Sequence, residues 1–362
     1  MRAWGDERED KPAERDARDD HDAIGHAETA AAVRAAGIDL DPPLPGRPAR
    51  TGHDADAAPD PLDHEHPHFH SPAGQPPIIG IVGGGAVGTA LGVALTRAGW
   101  PVHAVASRDP VRRERFRRLV EGARGFAEAT ALVEEVELII LAVPDDAIPS
   151  VAAGLRMYSG QAMIHTSGAL GAEVLAPAMA AGTQVGAFHP LVAFADTERA
   201  VAALRGATVA IEGDDQLAAL LAEMAEALGA QAVRLAPGSK AAYHAAAVLA
   251  AGGFVALLDA IAELGRVAGL DEAGALAIYG PLVEQTLANA RALGIRAALT
   301  GPITRGDRGT LVAHLAALRE YAPGVLDLYR AAAGREIELA LARGALTPEV
   351  AERLRSSLAS DP

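Results

Sequence analysis

The segment that most restricts what this chain can fold into is a short apolar run, Ile78-Ile79-Gly80-Ile81-Val82. It passes into Gly83-Gly84-Gly85-Ala86-Val87-Gly88 and then into an amphipathic stretch over 89–98. A buried strand that feeds a G-x-G-x-x-G turn and then a helix is the dinucleotide-binding fingerprint in its required context. Gly83 permits the tight turn, Gly85 has no side chain to obstruct a pyrophosphate, and Gly88 lets the helix pack close to the strand. The first helical amides, from Ala86 and Val87 onward, then face phosphate.

From residue 77 the signals alternate: strands at 78–82, 102–107, 137–143 and 161–165, with helices at 86–98, 111–121 and 147–157 between them. That alternation predicts a parallel, doubly wound α/β sheet, which further strands at 185–188, 207–212 and 232–235 would extend. Beyond Pro237-Gly238-Ser239 the strand signals stop. Ala/Leu-rich helical runs continue to about residue 357, with breaks expected at Gly269, Gly280-Pro281, Gly294, Gly301-Pro302, Pro323-Gly324 and Gly344. The expected domains are therefore 77–237, a Rossmann-type nucleotide-binding unit, and 238–357, an all-α unit. The first helix of the latter, 241–262, is apolar enough to raise the question of a membrane span. His244, Asp259 and the flanking Lys240 and Glu263 argue instead for a helix buried in the α-domain or in a dimer core.

Residues 1–76 are rich in Asp, Pro, Ala, Arg and His and show apolar periodicity only at 27–38, which predicts a disordered tail with one short helix. The alternate histidines His64, His66, His68 and His70 flank Pro67, and a solvated linker explains them better than a metal site. The tail holds 17 Asp/Glu against 8 Arg/Lys, a balance of −9 within a net charge of −15. Such a charge disfavours nucleic acid and anionic membrane as partners. The absence of cysteine removes disulfides and thiolate chemistry, and the polar start of the chain lacks the apolar core of a secretory signal, so a cytoplasmic protein is expected.

Cofactor choice is read about 20 residues past the last glycine, where an acid favours NAD and a basic residue accommodates a 2′-phosphate. That position is Arg108, in Ser107-Arg108-Asp109-Pro110, with Arg112 and Arg113 one turn on. A guanidinium fork and the Ser107 hydroxyl suit phosphate, and Asp109-Pro110 reads as an N-cap followed by proline at the first helical position. NADP is the expected cofactor. Val143-Pro144 closes a strand at the same edge, and Asp145-Asp146 read as caps of the next helix.

Of 32 basic residues only Lys11 and Lys240 are lysine, so the chain writes arginine wherever a positive charge suffices. Lys240 sits in the first turn of a long helix, where the dipole and burial lower an ammonium pKa and let it donate a proton, which arginine cannot do near neutral pH. His244 follows four residues on, on the same helical face, as a proton-sharing partner. Thr166 and Ser167, His189 before Pro190, and Arg305 with Asp307 stand in three loops suited to a small anionic substrate.

Over about 77–340 the chain resembles bacterial Rossmann-like NADP oxidoreductases that carry a C-terminal helical domain of unassigned function. Those are relatives of ketopantoate reductase, pyrroline-5-carboxylate reductase, prephenate dehydrogenase and the β-hydroxyacid dehydrogenases. The likeness is carried by the Gly83 to Gly88 loop, Leu141-Ala142-Val143-Pro144-Asp145, His165-Thr166-Ser167-Gly168, Phe188-His189-Pro190-Leu191, Lys240 with Tyr243-His244-Ala245-Ala246-Ala247, and Leu299-Thr300-Gly301-Pro302 with Arg305-Gly306-Asp307. It implies a 6-phosphogluconate-dehydrogenase-like helical domain after the Rossmann domain, and a homodimer. It also implies that Lys240 and His244 fill the roles of the K-x-x-x-N pair of β-hydroxyacid dehydrogenases, although Gly252-Gly253 stands where a Ser-Asn pair is expected. The expected activity is NADP-dependent reduction of a small 2-oxo acid such as ketopantoate. Imine reduction of the pyrroline-5-carboxylate type and a non-catalytic NADP sensor are the alternatives.

Overall fold

The computed structural model describes residues 75–179, 182–236 and 238–360. The tail expected over 1–76 lies almost wholly outside them, as do the short helix expected at 27–38 and the alternate histidines. Packing divides the chain into a unit that runs through Ala247 and a second from Val248 onward. The first turns of the helix at Lys240 thus belong with the sheet, ten residues beyond the boundary expected at 237.

The first unit is built on one sheet of eight strands: β1 (Ile79–Val82), β2 (Val102–Ala106), β3 (Arg124–Phe126), β4 (Leu138–Leu141), β5 (Ala162–His165), β6 (Gln184–Pro190), β7 (Thr208–Glu212) and β8 (Gln231–Arg234). Their spatial order is 3-2-1-4-5-6-7-8, so the direction of winding reverses between β1 and β4 and opens a crevice above their carboxyl ends. The helices longer than four residues are α1 (Ala86–Arg97), α2 (Pro110–Leu119), α3 (Ile148–Gly154), α4 (Thr197–Leu204), α5 (Asp215–Ala227) and the start of α6 (Lys240–Val248). Strands buried on both faces read as continuous apolar runs, as Ile79–Val82 and Leu138–Leu141 do. Ile81, Ile140, Ile164 and Phe188 join one core with Leu91 and Phe116, while Leu141, Met163, Ile148 and Leu175 form the core of the opposite face.

The short edge strand β3 is not evident in the sequence, because Arg124-Gly125-Phe126 is too brief for periodicity to register. The expectation of a wholly parallel sheet needs correction. β7 runs antiparallel to β6, and β8 follows β7 in parallel. The cause is the connection between them. The Leu191 amide donates to the Thr208 carbonyl at 2.8 Å, so β7 starts beside the end of β6, and α4 does not carry the chain back across the sheet. Instead Glu198 of α4 pairs with Arg97 at the end of α1, at 3.0 Å.

Two glycines show why α1 can sit where it does. A Cβ on Gly88 would overlap the Gly83 carbonyl oxygen and come within 3.1 Å of Ile81, so only glycine permits the helix this close to β1. One turn later Gly92 leaves the space that the Phe116 ring of α2 fills.

The second unit is entirely helical among its described residues: α7 (Phe254–Val267), α8 (Glu272–Leu293), α9 (Arg308–Tyr321), α10 (Leu326–Ala342) and α11 (Pro348–Ala359). The last three enclose a core of Leu311, Leu315, Ile337 and Leu354. Most expected breaks are present, but α8 runs through Gly280-Pro281 with the proline inside it. Proline removes one hydrogen bond, and a 22-residue helix has enough others to continue past it. The apolar helix expected at 241–262 spans Lys240–Val267 and is interrupted by a π turn at Leu249–Gly253, which absorbs the Gly252-Gly253 pair. Within the single chain only 11% of its most apolar window is buried, so it is not buried in the α-domain, the first of the two placements expected for it.

Gly88→Ala is therefore expected to lower stability by about 1–3 kcal/mol through overpacking. Gly85→Ala, whose Cβ would meet nothing within 4 Å, should cost less than about 1 kcal/mol. Urea unfolding midpoints of the two variants check the contrast.

Candidate active site

Hydrogen-bonded register brings the strand ends level. Val82, Leu141, His165, Ala187 and Glu212 form one row across five strands, and β6 continues past it to His189 and Pro190. Above this row lies a cavity of about 990 Å³. Its lining brings together Gly83, Gly85, Ala86, Val87, Ser107, Arg108, Val143, Pro144, Thr166, Ser167, His189 and His244, residues drawn from six separate segments of the sequence.

At one end is the glycine turn. Gly83 has φ +115°, and a Cβ there would overlap the Ala142 carbonyl, whereas Gly85 opens onto empty space. No side chain caps α1, so its first amides remain available to an anion. Beyond β2, Asp109 does cap α2 as expected, accepting from the amides of Val111 (2.8 Å) and Arg112 (3.2 Å). Arg112 pairs with Asp109, and Arg113 donates to the Ser107 carbonyl at 2.6 Å, so both are engaged locally. Arg108 has no hydrogen bond or ion pair among the described residues and stands exposed at the cavity. An open cradle at Gly85, uncapped amides and a free guanidinium are the features that a dinucleotide with a 2′-phosphate requires, so the residues present fit NADP.

The other end gathers His189, His244 and the groups behind them. The His189 ring stands edge-on to Tyr243 and to His244, with centroids 5.8 and 5.7 Å apart. Gly168 lies against both imidazoles, since a Cβ there would overlap His244 Nδ1 and come within 2.6 Å of His189 Nε2. The Nδ1 atoms of His189 and His244 and the Tyr243 hydroxyl are buried without a hydrogen-bond partner, a costly condition. Burial holds the His189 pKa down to about 4, helped by the neighbouring His244 and the positive charge of Lys240.

Lys240 is 7% exposed, and its Nζ lies 3.4 Å from Glu212 Oε1, an ion pair without hydrogen-bond geometry. Burial lowers its pKa and Glu212 acts in the opposite sense. It is absent from the cavity lining, and no hydrogen bond joins it to His244, which does line the cavity. The direct partner of Lys240 is thus Glu212, which residue type and spacing alone do not single out. A signal existed: Glu212 ends a strand on the face opposite Val209 and Ile211, where an acid has no reason to be unless it is paired.

Two expectations for the turn after β5 change. The Ser167 hydroxyl donates to Asp145 Oδ2 at 2.8 Å and accepts from the amides of Ala169 and Leu170, so it shapes its own loop and has little left to offer a substrate. Asp145 does not cap the following helix; its carboxylate takes that Ser167 proton instead. Thr166 lines the cavity, with its hydroxyl directed to the Leu141 carbonyl at 3.4 Å. Arg305 and Asp307 belong to the second unit. Asp307 is the N-cap of α9, accepting from the Thr310 amide (3.0 Å) and hydroxyl (2.7 Å), so its carboxylate is committed to the helix; Arg305 is exposed.

Residues 68–190 match the model of the Rossmann-like domain, and residues 207–336 match a domain of unknown function, DUF2520. The chain pairs a Rossmann-like domain with a DUF2520 region. Solved structures share its fold. A protein from Bacteroides fragilis, provisionally assigned as an NADP oxidoreductase, is 24% identical over 71% of this chain and 96% of its own, with a TM-score of 0.59. A reductive aminase from Aspergillus terreus, in complex with an NADPH derivative, cyclohexanone and allyl amine, is 19% identical over 78% of this chain and 93% of its own, with a TM-score of 0.52. The pyrroline carboxylate reductase of Plasmodium falciparum with NADP bound is 11% identical over 78% of this chain and 98% of its own, with a TM-score of 0.51. Among functionally curated proteins none matches the chain.

The lowered pKa of His189 links folding to pH. Unfolded, the ring binds a proton near pH 6.5; folded, it resists protonation down to about 4. The unfolded state therefore takes up more protons as pH falls through that window, and stability is lost there. The urea midpoint is expected to drop between pH 7 and 4.5, and His189→Gln should make that drop smaller.

Proposed function

We propose that this chain is an NADP-dependent oxidoreductase that reduces a polarised double bond to carbon in a small substrate. The observation that carries the reading is a single cavity lined at one end by the Gly83 to Gly88 turn and Arg108 and at the other by His189 and His244. Gly83, Gly85, Ala86 and Val87 would hold the pyrophosphate, Ser107 and Arg108 the 2′-phosphate, and Val143 and Pro144 the face of the cofactor nearest β4. Bound NADPH supplies the hydride.

The chain's own residues then have to place the substrate and deliver one proton. His244 lines the cavity and is assigned the transfer to the substrate heteroatom, a role that general acids fill with rate factors of about 10²–10⁴. His189 stays neutral at pH 7, so it can orient the substrate by hydrogen bonding. Lys240, expected from the sequence to be the donor, is held by Glu212 behind this pair, where its charge helps keep His189 neutral.

At the catalytic end Asp145 lines the cavity, bonded to Ser167 and near enough to His189 for its charge to act on that ring. A carboxylate stabilises a protonated imine, so an imine is the favoured substrate class. The reductive aminase and the pyrroline carboxylate reductase that share the fold support this reading. Reduction of a small 2-oxo acid such as ketopantoate is the second reading, favoured by the buried ammonium of Lys240. Either reaction is placed in the cytoplasm, with neither nucleic acid nor membrane as partner.

Oxidation of NADPH and NADH assayed against pyrroline-5-carboxylate, other cyclic imines, ketopantoate and related acids tests the proposal. Turnover should prefer NADPH, Arg108→Ala should cut that preference by about tenfold or more, and His244→Ala should lower kcat by about 10²-fold or more. Tight NADPH binding with no consumption on any substrate would establish a non-catalytic sensor instead.

A homodimer is part of the same proposal. Val255, Leu257 and Leu264 on α7 and Ile278, Leu282 and Leu287 on α8 leave the second unit with apolar surface that a second copy would cover around a two-fold axis. Light scattering should give the mass of two chains, and the double variant Ile278→Glu with Leu282→Glu should give the mass of one.

A further inference from the structure

His165 ends β5 fully buried, yet neither of its ring nitrogens faces the cavity. Both are spent on the loop that follows. Nδ1 lies 3.2 Å from the Ser167 amide, and Nε2 lies 3.0 Å from the Gly171 carbonyl. The two partners fix the proton. An amide only donates, so Nδ1 must be bare; a carbonyl only accepts, so Nε2 must carry the hydrogen. One neutral tautomer satisfies both contacts at once.

The loop so held is part of the site. Thr166, Ser167 and Gly168 line the cavity, and Gly168 lies against the imidazoles of His189 and His244. The loop's far end is fixed again where the Ala172 amide donates to Glu212 Oε2 at 2.7 Å.

We propose that His165 is a positioning residue whose neutral Nε2–H tautomer clamps the 167–171 loop along the cavity, and whose protonation releases that clamp. A proton on Nδ1 would set a donor against the Ser167 donor, so the bond at the start of the loop is lost while the one to Gly171 survives. The groups that face the ring act in opposite senses. Glu212 from β7 and Asp145 from the turn after β4 favour the charged ring; Lys240 from α6 opposes it, and His189 on β6 lies beside it. Burial decides the balance and pushes the His165 pKa down, so the clamp is closed at neutral pH and opens in acid.

The proposal holds whether or not the cavity takes NADPH, so its test uses the full chain without ligand. Two-bond ¹H–¹⁵N spectra at pH 7.5 should show His165 as the Nε2–H tautomer. Amide exchange at Ser167, corrected for its intrinsic pH dependence, should speed up as the His165 ring titrates. His165→Phe should accelerate exchange at Ser167 by about tenfold or more, and His165→Asn, whose Oδ1 can accept the same amide, should recover protection. A Nδ1–H tautomer, a ring charged at pH 7.5, or unchanged Ser167 exchange in a folded His165→Phe protein would overturn the proposal. Should that variant fail to fold, the wild-type tautomer and its titration decide alone.

Discussion

Everything in the first unit depends on a register. Ladder hydrogen bonds set Val82, Leu141, His165, Ala187 and Glu212 side by side, and that row fixes where each following loop starts. The glycine turn, the Val143-Pro144 turn and the Thr166 to Gly168 loop all leave the sheet within two residues of it. A slip of one residue in any strand would turn its apolar side chains from one core to the other, so burial of two faces enforces the row. The cavity is a consequence of this alignment together with the reversal of winding between β1 and β4.

The same row explains a concentration of buried and half-buried titratable groups. His165 and Glu212 stand in it, His189 stands two residues past it, and Lys240 and His244 come from the helix that follows the last strand. A buried charge is tolerated only when paired, and a buried imidazole is cheapest when neutral. Lys240 with Glu212 meets the first condition, while His165 and His189 meet the second. His189 and His244 line the cavity, and each keeps a buried, unpartnered Nδ1.

The nucleotide end of the site was legible because its chemistry is local. Gly83, Gly85 and Gly88 act within one turn and one helix, and Arg108 lies a fixed distance downstream along the same βαβ unit, so spacing alone carries the information. The catalytic end was legible only in its residue types. Lys240 and His244 stood out by composition and helical spacing, but their neighbours Glu212, His189 and Gly168 come from strands and loops far apart in the sequence. Ser167 and Asp145 were both assigned other tasks, a substrate contact and a helix cap, because nothing in the sequence shows that the two side chains meet.

The sequence by itself determined the alternation of strands and helices apart from the short edge strand β3, the glycine turn and the preference for a phosphate-bearing cofactor, since each arises from periodicity or from residues within one short segment. Tertiary structure alone decided the antiparallel course of β7, which follows from a connection that stays at one edge of the sheet. It also decided the pairing of Lys240 with Glu212 and the grip of His165 on its loop, because long-range register sets which buried groups meet, and a linear pattern of residue types does not contain it.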